Sequence, residues 1–232
     1  NARPMLVGID SWHTSPDIHY DNADLLDIWT TLLTADGVSD NPGYKYDVIN
    51  VGRQVMGNLF SVMRDSFTVA YNQHNIPEMG RIAAVMNDLI IDSDSLLACD
   101  ASFSLGKWIA DARDFGITPE EKDYYEQNAR GIVSVWGQKA TQLNDYANRG
   151  WAGLTKDFYG ARWNMFTNSV IDAVKVGTAY DAKKYYDDIT EFEYQWTLRT
   201  GDDYPVVSDA DPTQMAKQLI NKYSKFITKK AD

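Results

Sequence analysis

Cysteine, histidine and positive charge are what this 232-residue sequence has least of. A single cysteine, Cys99, excludes an internal disulfide, and with no histidine beside it in LLACD it reads as a small buried residue rather than a nucleophile. Three histidines in all leave metal sites and Ser–His–Asp constellations without parts, so no metal and no cofactor is expected. The 22 Lys and Arg stand against 33 Asp and Glu, a net charge of −11. That sign argues against a nucleic-acid partner, which needs clustered cations. Lys225, Lys229 and Lys230 read as a helix end, where cations suit the dipole. No apolar run approaches the roughly 18 residues of a membrane span. Gly-rich phosphate loops, HExxH, paired CxxC, G-x-S-x-G and Asn-x-Ser/Thr sequons are all missing. The acidic run Asp92 to Ser95 lacks the glycine and distal Glu of a calcium loop and reads as a solvated face. The chain opens on Asn1 rather than Met, as a trimmed or processed segment would.

What is there is helical periodicity. Hydrophobic residues make up 44% of the chain, enough for a sizeable core. Residues 1–20 hold Pro4, Gly8 and Pro16 with no sustained period and read as an irregular lead-in loop. Leu25, Leu26, Trp29, Leu32 and Leu33 form the stripe of a first helix capped by Asp21 or Asn22. Gly37 to Gly43, with Asn41-Pro42, reads as turn, followed by a long helix from about Tyr46 to Asn72. Gly52 and Gly57 inside it suggest the close approach of another helix. Further helices are expected from Pro77 to about Leu97, from Phe103 to Phe115, and from a Thr118–Glu121 capping box to Trp136. Another runs from Trp151 through Val174, then Tyr180 to Thr200, then a last one from Asp211-Pro212. The spacing predicts one all-α domain of about eight helices over 1–232, with the bundle in 21–232.

Two dense motifs go further. Asp145 to Phe166 reads DYANRGWAGLTKDFYGARWNMF, and Asp123 to Gly137 reads DYYEQNARGIVSVWG. With ARPML at Ala2 to Leu6, Trp12, and DLLDIWTTLL from Asp24 to Leu33, these resemble, in order, the C-terminal helical domain of the α-N-acetylglucosaminidases, glycoside hydrolase family 89. That family carries runs such as DYANKxWAGLxxxYYxPRWxxF and DFYEQNxRxxLTxWG.

The resemblance implies the C-terminal part of a retaining glycosidase that removes terminal α-linked N-acetylglucosamine from glycans. Its catalytic glutamates belong on a preceding (β/α)8 barrel of the same polypeptide. A barrel needs roughly 250 residues of alternating strands and helices, and this sequence shows neither, so no catalytic residue is assigned here. The resemblance also implies that the Trp12 loop leans over the barrel, with Trp12 and His13 on the wall of the sugar pocket. Trp136, Tyr146, Asn148 and Arg149 are further candidates for a pocket edge or interface, against the reading that they order a buried turn between helices. It implies a secreted, periplasmic or cell-surface location in a bacterium, lysosomal in animal relatives. The alternative is a free-standing, non-catalytic helical binding or scaffold module. That module would be polar all round, whereas a domain that buttresses a barrel would carry one contiguous exposed apolar patch.

Overall fold

Among the described residues, seven of the eight α-helices begin where a side chain can accept a hydrogen bond from an unpaired helical N–H. The computed structural model describes residues 2–7, 18–137, 139, 143–201 and 203–229. The helices are α1 (Asn22–Leu32), α2 (Pro42–Asn72), α3 (Ile76–Leu97), α4 (Leu105–Arg113), α5 (Pro119–Ile132), α6 (Ala161–Lys175), α7 (Ala182–Thr197) and α8 (Pro212–Tyr223). Asp21, Asn41, Asn75, Ser104, Thr118, Asp181 and Asp211 are the caps. No strand occurs among the described residues; the nearest approach is one bridge between Ser104 and Ala152. Among the described residues, no helix is long and apolar enough to cross a membrane.

Caps also explain where the elements depart from the sequence pattern. Asn41-Pro42 is a helix start rather than a turn: Asn41 Oδ1 accepts from Gly43 and Tyr44, so α2 begins four residues before Tyr46. The capping box at Thr118 and Glu121 is present in both directions. Helix α5 stops at Ile132, short of Trp136. The stretch after Trp151 does not open as an α-helix. Leu154–Gly160 forms a π-helical turn that runs directly into α6, which therefore needs no side-chain cap. The wider turn places Leu154, Phe158 and Tyr159 all in the interior.

Asp94 caps that turn. Its Oδ1 accepts from the backbone N–H of Gly153 at 2.8 Å and Lys156 at 2.9 Å. Asp92 accepts from Lys222 Nζ and the Tyr223 hydroxyl. The acidic run is thus tied to other elements and is not simply a solvated face. Cys99 is half-buried rather than buried, and burial, with Asp211 nearby, pushes its thiol up to about 11.

The main core lies between α1, α2, α3, α6, α7 and α8. Trp29 crosses onto α2 with its indole N–H on the Val48 carbonyl at 2.8 Å. A methyl group at Gly52 would lie 2.3 Å from that ring, so this glycine does permit the approach of a neighbouring helix; Gly57 has nothing within 4 Å. A second, smaller core joins α4, α5, the π turn and α7 through Leu105, Ile109, Val133, Phe158 and Trp196. Helix α5 meets it with its charged face. Glu126 and Arg130 are fully buried, while Tyr124 is 63% exposed.

Candidate functional site

The segment between α5 and the π turn carries the most unusual backbone among the described residues. Trp136 has φ +53 and Asp145 has φ +61, a left-handed conformation costing a non-glycine residue about 1–2 kcal/mol. Such strain persists only where the surroundings over-determine it. The Trp136 N–H donates to Gly131 O at 2.7 Å, turning the chain off α5. The Asp145 N–H donates to Ser134 O at 2.8 Å and closes the segment on itself. Tyr146 then stands edge-on to Trp136, ring centroids 5.3 Å apart at 70°. Both rings reach solvent, Trp136 39% and Tyr146 62% exposed.

Asp145, the residue before Tyr146, belongs to a buried ionic quartet. Arg162, with no exposed surface, donates through Nη1 to both Asp145 oxygens at 3.0 and 2.9 Å and to Glu193 Oε1 at 2.8 Å. Arg3 pairs with the same Glu193. Asn144 Nδ2 donates to Glu193 Oε2 at 2.6 Å. Two cations and two anions thus tie residues 2–7, the 143–149 turn, α6 and α7 together at one point. Burial disfavours a charged Arg162, but Asp145 and Glu193 outweigh it and the guanidinium holds its proton more tightly than in water. Burial pushes the Asp145 carboxyl up, opposed by Arg162. The Arg162 guanidinium also lies over Phe158 and Tyr159, 4.7 and 5.0 Å from their centroids.

A parallel cluster holds the other side. Arg130 donates to Glu126 at 2.9 and 2.7 Å and sits 4.8 Å over the Trp196 ring. Arg113 reaches Glu126 from α4 at 2.5 Å. Asp157 accepts from the Trp196 indole at 2.7 Å and the Tyr204 hydroxyl at 2.5 Å. The buried carboxylates Glu126, Asp145 and Glu193 are therefore each bound to arginine. No group of three or more metal-ligating side chains converges among the described residues.

Of the residues expected from sequence to face a ligand, Trp136 and Tyr146 are brought together at the surface. Asn148 and Arg149 instead fasten their own turn. Asn148 Nδ2 donates to Asp145 O at 2.9 Å, and Arg149 Nη1 donates to Asn148 O at 2.7 Å and Ala147 O at 3.1 Å. Trp12 and His13 lie outside the described residues. Sequence reasoning missed Arg3, Asn144 and Glu193. A signal existed for the last: Glu193 falls four after Ile189 and three before Trp196, a carboxylate inside an apolar stripe. Arg162 sits likewise between Phe158 and Phe166.

The chain is similar to known proteins over most of its length. Residues 1–222 match the family model described as alpha-N-acetylglucosaminidase (NAGLU) C-terminal domain. The human alpha-N-acetylglucosaminidase is 30% identical over 223 residues, 95% of this chain and 30% of that protein. A family 89 glycoside hydrolase from Clostridium perfringens, solved with PUGNAc, superposes with a TM-score of 0.86 at 27% identity, over 96% of this chain and 26% of that one. The same bacterium's enzyme, as a double Glu-to-Gln form holding its substrate GlcNAc-α-1,4-galactose, gives 0.87 at 26% identity, over 98% and 27%. This chain spans less than a third of the length of these relatives.

Proposed function

The chain belongs to the C-terminal domain family of the family 89 α-N-acetylglucosaminidases, and from that premise we propose that it serves as the wall and buttress of a larger retaining glycosidase. In this reading a (β/α)8 barrel of the same polypeptide supplies the two catalytic glutamates and removes terminal α-linked N-acetylglucosamine from a glycan. The helical domain presents the Trp136–Tyr146 edge to the sugar, and the lead-in loop adds Trp12 and His13. Aromatic faces suit this task because sugar C–H groups pack on them without a charged partner. The enzyme works outside the cytoplasm, where such glycans are met.

The observation that carries the reading is the exposed Trp136–Tyr146 pair, flanked by left-handed backbone at Trp136 and at Asp145, which the buried ionic quartet holds. Two large rings are held in the open on a backbone that the fold fixes from below, as a preformed edge requires. The exposed surface agrees: Phe115 is 78%, Ile117 90% and Tyr124 63% exposed, with Phe115 and Tyr125 rings 6.1 Å apart. A free-standing polar module has no use for such a patch, whereas a domain docked on a barrel does.

Trp136→Ala in the full-length enzyme is expected to lower kcat/KM on a chromogenic α-N-acetylglucosaminide by about tenfold or more, the size of losing one well-packed ring. Trp12→Ala tests the lead-in loop in the same assay. Unchanged kcat/KM in both would remove the wall role.

A further inference from the structure

A crevice of about 240 Å³ lies between α2, α3, the π turn and residues 2–5. Met56, Phe60, Leu89, Ile90 and Trp163 give it apolar walls, and Arg53 and Thr155 also line it. Independently of the glycosidase reading, we infer that this crevice is a binding site for a short apolar carboxylate, its hydrocarbon part among the apolar walls and its head group on Arg53.

Charge selects the anion. No Asp or Glu lines the crevice, whereas Arg3, Arg53 and Arg64 do, in a chain of net charge −11. Arg3 is already matched by Glu193, and Arg64 Nε lies 2.7 Å from Asp65 Oδ1. Arg53 differs. Its Nη2 donates to Asn50 Oδ1 at 2.6 Å and its guanidinium lies 5.3 Å from the centroid of the Phe103 ring, so both partners are uncharged. Among the described residues no carboxylate pairs with it. A half-buried guanidinium in that state favours an arriving carboxylate, whose two oxygens match its fork.

Thr155 supplies a further donor. Its hydroxyl oxygen is buried and has no hydrogen-bond partner. Thr30, Thr68 and Thr167 each donate to the carbonyl four residues back, as hydroxyls within α-helices do. Thr155 stands in the π turn and makes no such bond. The chain leading to it passes close to Arg53, since a Cβ on Gly150 would lie 3.2 Å from Arg53 Cδ. One guanidinium and one hydroxyl suit the two oxygens of a monoanion better than the three of a phosphate.

Size and surface set the rest of the ligand. At roughly 30 Å³ per water the crevice equals about eight waters, below the about 300–1,000 Å³ of drug-sized pockets. That room suits a molecule of about ten non-hydrogen atoms and excludes a long-chain lipid or an oligosaccharide. The walls are aliphatic and aromatic, Phe60 standing edge-on to Trp163 with centroids 4.9 Å apart, and they favour hydrocarbon over a polyhydroxyl.

Methionine methyl NMR reads the site directly, because Met5 and Met56 line the crevice while Met79 and Met86 lie elsewhere in the core. Octanoate titrated into the methyl-labelled 232-residue chain is expected to move the Met56 and Met5 signals saturably and to leave Met79 and Met86 in place. Octan-1-ol, equal in length and uncharged, should bind at least about tenfold more weakly. Arg53→Gln should lower the octanoate affinity about tenfold without changing that for octan-1-ol, and Thr155→Val should lower it about fivefold. Equal affinities for octanoate and octan-1-ol overturn the inference, as does a response absent from Met56 or spread evenly over all the methionines. If Arg53→Gln does not fold, Thr155→Val and the comparison of the two ligands on the wild type decide. In the longer enzyme of the reading above, a Met56 signal that no longer answers to octanoate would mean that another part of the polypeptide fills the crevice, which also overturns the inference.

Discussion

Arg162 shows what one residue can be asked to hold. It has no exposed surface and contacts Asp145 and Glu193 within 3.0 Å, so removing its charge leaves two carboxylates in the interior with only Arg3 to share. A buried pair of this kind gives modest net stability, since desolvation offsets most of the attraction, but breaking it by removing one partner costs about 3–5 kcal/mol. Arg162→Met is expected to lower the unfolding free energy by about that amount in urea titration. A triple change that also makes Asp145 and Glu193 apolar should recover much of the loss, because no buried charge is then left unpaired. The quartet therefore contributes position more than stability: it sets where Asn144 and Asp145 lie, and with them the neighbouring Tyr146 ring.

At the scale of elements, two glycines that look alike in the sequence of α2 behave oppositely. Gly52→Ala would put a methyl 2.3 Å from the Trp29 ring and 2.8 Å from Leu96, and overpacking of that kind costs about 1–3 kcal/mol. Gly57→Ala meets nothing within 4 Å and should gain about 0.5–1 kcal/mol from helix propensity. Paired thermal melts of the two variants check both signs. Helix α5 depends on its first turn. Glu121 accepts from the backbone N–H groups of Ile117 and Thr118, which hold its carboxyl below the usual carboxylate range. A depressed folded-state value means that the stabilisation is present above the unfolded value, about 4.3, and is lost as pH falls through the lowered one. Amide protection factors at Ile117 and Thr118, with the pH-dependent intrinsic exchange rate divided out, should therefore fall on acidification through that window, and in Glu121→Ala should be low already at neutral pH.

The whole molecule is a bundle with one side unfinished. Phe115, Ile117 and Tyr124 are each more than 60% exposed, close to one another around the start of α5. A chain that spans less than a third of its relatives and leaves such a patch in water is expected to self-associate when studied alone. Sedimentation velocity should show concentration-dependent association of the isolated 232-residue chain, abolished by Phe115→Ser with Ile117→Lys. In the longer enzyme, the barrel-docking role proposed above predicts that the same pair of changes lowers the thermal midpoint. A monodisperse wild-type monomer at high concentration would mean that the patch is not a docking face.

Local chemistry determined much of this protein unaided. Caps such as Asp21, Thr118 and Asp211, and stripes such as Val48, Val55 and Leu59, act through neighbours within a turn or two, so the all-α class and most helix positions are legible from the residues in order. The two dense motifs carried the family for the same reason, as unbroken runs. The site was legible only in part. Trp136 and Tyr146 could be singled out as aromatics, but their meeting depends on Asp145 reaching back to Ser134 and forward to Arg162. Arg3 lies 190 residues from Glu193, whose carboxylate it shares with Arg162. No periodicity encodes that pairing, nor the turning of the charged face of α5 inward and its tyrosines outward. Those were decided by packing, because a buried charge is tolerated only where the tertiary fold brings its partner to it.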